Sequence, residues 1–297
     1  MATPAQERTR NVISWLLSFL LSLFLSLFAL LILTQATILS PAFLKRVMEQ
    51  SGYIGYIKQD MEEIFVSYGI SSGFDEAFFL SVLDDAAVQA DVEREIDSLY
   101  TAGRAGADLE AFQADLTEKL LENVRQREIA VTPEVEEAVG YLATVCTKTY
   151  GEGVSLPLAS YASDALRSLR GPVRVATGAV GLLCLFTLAF LFAIRRRRKA
   201  FCRYAVYAFS GAALTLALPP ALLLLSGRIE RIGITGRALY AFVTGYAEQI
   251  AYWLFAAAGA MLLLALVLGT VYLVLARREI RRRDGAEAFP GDLRTDG

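Results

Sequence analysis

The sequence predicts an all-α integral membrane protein: four transmembrane helices plus an extracytoplasmic helical bundle. Three observations lead there. Uncharged runs recur, with 34 positions between Arg10 and Lys45, 20 between Arg174 and Arg195, 24 between Arg203 and Arg228, and 28 between Glu248 and Arg277. Each is long enough to cross a bilayer as a helix, which takes about 20 apolar residues. Arginine clusters recur at one set of run ends. The polypeptide between the first two runs is acidic and reads as helix throughout.

Those clusters give the orientation, because positive charge near span ends stays in the cytoplasm. Arg8 and Arg10 precede the first run; Arg195, Arg196, Arg197, Arg198, Lys199 and Arg203 join the second to the third; Arg277, Arg278, Arg281, Arg282 and Arg283 follow the fourth. With four crossings all three clusters fall on one side. The expected layout is a cytoplasmic N-terminus (1–10), span 1 (11–40), an extracytoplasmic helical domain (41–171), span 2 (172–194) and a basic cytoplasmic loop (195–203). Span 3 (204–227), a short outer loop (228–248), span 4 (249–276) and a cytoplasmic tail (277–297) complete it. Both termini are then cytoplasmic and the location is the plasma membrane. Residues 45–171 hold 11 Lys/Arg against 23 Asp/Glu, which suits the outer side. The first run is too long for a signal-peptide core of about 7–15 residues and no Ala-x-Ala follows, so it reads as an uncleaved anchor.

In span 1, Ser14, Ser18, Ser22 and Ser26 recur every fourth residue and so share one helix face. Small hydroxyl residues in this arrangement let a second helix approach closely. The partner is another span of this chain, a second copy, or another membrane protein. In the domain, Pro41 to about Tyr68 reads as helix continuing from span 1, broken over Gly69–Gly73. Ser72 with Asp75 suits a capping box opening a helix to Leu83. Asp84 or Asp85 caps the next, to Leu99 or Tyr100, with Val88, Val92, Ile96 and Leu99 on one face and Gly103 and Gly106 ending it.

Asp108 opens a helix to about Arg127, striped by Leu109, Phe112, Leu116, Leu120 and Val124. Thr132-Pro133-Glu134 starts another, since it offers a cap, a proline at the first position and an acid at the positive dipole end. Its buried face is expected to be Val135, Val139, Leu142 and Val145, with Gly151 and Gly153 stopping it. A last helix over 155–169 leads to Gly171-Pro172. Roughly 127 residues are enough for a core of their own. In span 4, Gly259, Ala265 and Gly269 form a small-residue packing face, and Tyr240, Tyr246, Tyr252 and Trp253 gather near its outer end like an aromatic belt.

The composition excludes several classes of chemistry. Histidine is absent, which removes the commonest general base and metal ligand. Three cysteines, Cys146, Cys184 and Cys202, give no disulfide framework. No nucleotide-binding or dithiol motif occurs, and a net charge of −2 carries no nucleic-acid signature. No catalytic, cofactor-binding or metal residues are assigned, and an enzyme is not expected. Asp84, Asp85, Glu93, Glu95 and Asp97 read as a solvated helix face. The spans hold no ionisable residue of the kind that coupled transporters use. The arginines at 195–198, Lys199, and Arg277, Arg278, Arg281, Arg282 and Arg283 set topology and attract anionic lipid, at about 1 kcal/mol per charge. The bilayer is the expected partner.

Leu39-Ser40-Pro41-Ala42-Phe43, Ser51-Gly52-Tyr53, Tyr68–Gly73 and Thr132-Pro133-Glu134 resemble a family of four-span membrane proteins of Gram-positive bacteria with a helical extracytoplasmic domain between spans one and two. That resemblance implies the architecture and no activity. The layout also resembles, in topology alone, permease subunits of mechanotransmission ABC systems. The expected function is a non-enzymatic envelope protein whose outer domain senses or binds protein. A permease-like or accessory ABC subunit is the alternative, and a small transporter or channel ranks behind it.

Overall fold

Helix is the only regular structure among the described residues, 4–101, 106–156, 159–195, 198–227, 233–234 and 236–287, of the computed structural model. Ten helices follow in chain order: α1 (Pro4–Ala36), α2 (Pro41–Gln50), α3 (Tyr53–Ser71), α4 (Glu76–Val82), α5 (Asp85–Tyr100), α6 (Leu109–Gln126), α7 (Pro133–Val154), α8 (Ala159–Ile194), α9 (Arg198–Leu225) and α10 (Arg237–Glu287). Four contain stretches long and apolar enough to cross a membrane: Glu7–Ala36, Ser163–Ile194, Lys199–Leu225 and Arg237–Arg278. The chain divides into two compact units, a span unit (1–34, 173–229 and 250–297) and a helical domain (35–172 and 230–249).

The span unit packs through small side chains. Ala205, Ala208 and Ala212 of α9 are fully buried. A Cβ at Gly211 would lie 2.6 Å from Ser22 Oγ, so glycine there is what admits α1. Ala251, Ala258 and Ala265 of α10 are buried at seven-residue spacing, with Leu254 and Met261 half-buried three residues after the first two. That is the heptad spacing of a helix-packing seam. Ala29 of α1 and Leu216 of α9 join Ala258 in one apolar cluster. Leu262, Leu263, Leu264, Leu266 and Val267 are exposed, as side chains solvated by lipid tails would be.

The helical domain is built around α3, α5, α6 and α7. Its core includes Met61, Phe65, Phe79, Val92, Ile96, Leu116, Leu120, Ala143, Cys146 and Tyr150. Ala238 belongs to the same core, Phe242 packs on Tyr53 at 5.8 Å between centroids, and Tyr246 meets Phe43 at 5.7 Å. The first turns of α10 are therefore part of the domain.

Local signals place several boundaries. Asp84 and Asp108 cap α5 and α6, accepting from the backbone N–H of Ala87 and Ala111. The predicted stripe of α5 is buried in full. Other boundaries differ from the sequence reading. The expected continuous helix from Pro41 is two, because Ser51-Gly52 breaks it and Gly52 sits at φ 72°. Asp75, not Ser72, occupies the N-cap of α4; the Ser72 hydroxyl instead donates back to the Tyr68 carbonyl. Gly151 and Gly153 lie inside α7 rather than ending it. Cβ atoms there would come within 2.9 Å of Leu109 and 2.5 Å of Met61, so these glycines serve close packing. The inner face of α7 includes Ala143, Cys146 and Tyr150, while Val135 and Val145 are half-buried.

Gly171-Pro172 does not interrupt α8, which runs through it. The stretch read as an outer loop at 228–248 is helical from Arg237, and the stretch read as a polar tail continues α10 to Glu287. Gly103 and residues 288–297 lie outside the described residues.

Candidate functional sites

Two places gather side chains with chemical potential, one in each unit. In the helical domain a cleft of about 440 Å³ opens between the α3–α4 turn, the end of α6 and the start of α7. Its floor is apolar, formed by Val124, Val139 and Leu142, and Ile129 stands half-exposed at its edge. Arg127 and Glu134 supply one charge of each sign. Arg127 is held from two directions, donating to the Gly73 carbonyl at 2.7 Å and to Asp75 at 2.5 Å, with its guanidinium 5.8 Å from the Phe74 ring centre. The Thr132 hydroxyl and the backbone N–H of Glu134 hold the Glu134 carboxyl below the usual carboxylate range.

Both turns beside the cleft end their helices in the same way. The N–H of Phe74 bonds to the Gly69 carbonyl and that of Gly73 to Ile70; Ile129 and Glu128 repeat the pattern onto Val124 and Arg125. The residue before the last must be left-handed in this motif, and glycine normally fills it. Gly73 does, at φ 80°, but Glu128 takes the second slot at φ 60°. Left-handed backbone costs a residue with a Cβ about 1–2 kcal/mol. Glu128→Gly is expected to stabilise the domain by about 1 kcal/mol, read as a raised midpoint in denaturant.

The second place is the Arg195 cluster of the span unit. Arg195 is buried, only 7% exposed. Its Nε donates to Ser14 Oγ at 2.8 Å; its Nη2 donates to the Arg10 carbonyl at 3.1 Å, to Asn11 Oδ1, and to the Tyr204 hydroxyl at 3.3 Å. Arg203 donates to the same hydroxyl at 3.1 Å. Both guanidinium groups also face the Tyr204 ring, at 5.1 and 5.0 Å from its centre. Burial pulls the Arg195 guanidinium down from its ordinary value; Tyr204 opposes this, and the charges of Arg10 and Arg203 reinforce it.

This bears on the serine stripe. Ser18 donates to the Tyr204 carbonyl at 2.7 Å, Ser22 packs at Gly211, and Ser14 also donates back to the Arg10 carbonyl. Ser26 bonds to its own helix at the Ser22 carbonyl. The sequence suggests one face for Gly259, Ala265 and Gly269. Ala265 is buried and Gly269 would bring a Cβ to 4.0 Å from Val206, but Gly259 is exposed and a Cβ there meets nothing within 4 Å. Arg277 and Arg278 are exposed. Arg196 and Arg197, and the side chains of Arg198, Arg281, Arg282 and Arg283, lie outside the described residues.

The acids of α5 are engaged more than a solvated face would be. Lys45 pairs with Asp97 at 3.0 Å and Glu93 at 3.5 Å, Asp85 pairs with Lys58, and Glu95 accepts from the Ala107 N–H at 3.2 Å. Asp91, for which the sequence offers no signal, is buried between Arg94 and the Tyr150 hydroxyl, the latter at 2.5 Å. Burial pushes the Cys146 thiol up to about 12, so it stays protonated at ordinary pH. No model of a known protein family, no curated protein and no solved structure matches the chain.

Proposed function

We propose that this is a non-enzymatic envelope protein of the plasma membrane. Four spans tether the helical domain outside the cytoplasm, and the domain binds a segment of another envelope protein. The observation that carries this reading is the cleft between α6 and α7: an apolar floor, an exposed Ile129 and one charge of each sign at the rim. Such a lining takes an apolar side chain of a partner and orients the flanking polar groups. The left-handed Glu128 beside it supports the reading, because strained backbone concentrates at binding sites. The test is a photo-crosslinking residue placed at Ile129 in living cells. A discrete crosslinked partner, lost when Val135→Asp is added, supports binding at the cleft. Crosslinking to lipid alone, or none, removes it.

A second reading, a permease-like or accessory subunit of an ABC system, draws on the order of elements, with the domain between the first and second of four candidate spans. Copurification with an ATPase would favour it over the first.

A further inference from the structure

Arg195 poses a physical problem. A buried cation is ordinarily matched by a buried anion, since desolvation outweighs what neutral hydrogen-bond acceptors return. Arg195 has four oxygen partners, all formally neutral: a serine, an asparagine, a tyrosine and a backbone carbonyl. Among the described residues no carboxylate pairs with it, and the charged neighbours that act on it are Arg10 and Arg203. Residues 173–229 contain no Asp or Glu at all. Arg195 and Arg203 therefore converge on one buried tyrosine, and the charge of Arg10 acts on Arg195 as well. The cluster also has an open side, since Arg10 and Arg203 are exposed while Tyr204 and Arg195 are buried. It sits where three candidate spans begin or end, near Glu7, Ile194 and Lys199. The ends of a membrane-spanning helix lie at the depth of lipid headgroups.

We propose that Arg10, Arg203 and the buried Arg195 form a built site for a phosphate group, and that its occupant is the headgroup of an anionic phospholipid. Arg203 and Arg10 are the groups that touch the phosphate oxygens, offering forked donors suited to them. Arg195 acts from behind through the shared Tyr204 hydroxyl, as a fixed charge held by Ser14 and Asn11. This differs from the diffuse attraction of any basic loop, because it needs particular arginines in a set geometry. Its residues all belong to the span unit, whereas those of the cleft belong to the helical domain.

The experiment is thermal unfolding of the full chain in a neutral detergent, with phosphatidylglycerol, phosphatidylcholine or inorganic phosphate added at equal phosphorus. Phosphatidylglycerol is expected to raise the unfolding midpoint by about 5 °C, and phosphatidylcholine to leave it unchanged. Arg203→Gln should abolish the rise, as should Arg10→Gln; Lys148→Gln, which removes an exposed charge of the helical domain, should keep it. An equal rise with inorganic phosphate places a free phosphate at the same site, provided Arg203→Gln abolishes that rise too. The proposal is overturned by no rise with any phosphate, or by a rise with phosphatidylglycerol that survives both Arg203→Gln and Arg10→Gln.

Discussion

Replacing Phe79 with alanine is expected to destabilise the helical domain by about 3–5 kcal/mol, a large share of the roughly 5–15 kcal/mol that holds a typical domain together. Helix α4 has only seven residues and contributes Phe79 and Val82 to the core. The Phe79 ring is fully buried, edge-on to Phe65, Phe74 and Phe78 at 6.3, 6.1 and 5.2 Å. It also lies over Gly69, where a Cβ would come within 2.1 Å of Cε2. The neighbours are aromatic and tightly placed, so the hole left by Phe79→Ala cannot close. Denaturant unfolding of the detergent-solubilised chain, followed by near-ultraviolet circular dichroism, measures the loss. A loss below about 1 kcal/mol would mean that α4 is not seated as described.

The second large effect is expected at the Asp91–Tyr150 pair. Tyr150 is buried, its hydroxyl donates to Asp91 at 2.5 Å, and its ring stacks on Phe112 at 3.9 Å. Burial is the first cause of the Tyr150 phenol's upward shift, and the bond and charge of Asp91 add to it. Removing one member leaves the other without its partner in a dry site, at about 1–3 kcal/mol. Tyr150→Phe keeps the ring stack and removes only the hydroxyl. Asp91→Ala should be the more harmful, about 2–3 kcal/mol, because it strands the hydroxyl and also frees Arg94. The double variant should lose less than the sum of the two, with a coupling of about 1 kcal/mol or more in the same unfolding assay. Strict additivity would show that the two groups do not interact.

What was legible in the sequence was what is written locally. The uncharged runs give the four long apolar helices because hydrocarbon length is a count of residues. The stripe Val88, Val92, Ile96 and Leu99 gives the inner face of α5, and Asp84 and Asp108 give their helix starts, since a cap bonds three residues onward. Glycine misled where its reason was distant. Gly151 and Gly153 read as helix ends, yet they make room for Leu109 and Met61 from other helices. The burial of Arg195 was not legible for the same reason. Among five basic residues in a row it looks like a topology signal, and only folding brings Asn11 and Ser14 to it across more than 180 positions. Asp91 carried no signal at all, because nothing in its own helix distinguishes it from the other acids around it. The seven-residue spacing of Ala251, Ala258 and Ala265 was readable in principle. It was hidden by the denser alanine and glycine run at 256–260.

The most direct test of the membrane architecture is labelling of intact cells with a membrane-impermeant maleimide. The native Cys146, Cys184 and Cys202 are buried and give a low background. A cysteine replacing the exposed Glu118 of α6 reports on the helical domain, and one replacing the exposed Arg278 reports on the arginine cluster after the fourth span. Glu118→Cys is expected to label on intact cells, and Arg278→Cys only after the membrane is opened. Labelling of Arg278→Cys on intact cells, with Glu118→Cys protected, would contradict the proposed orientation. Recovery of the chain in the soluble fraction without detergent would contradict the four spans themselves.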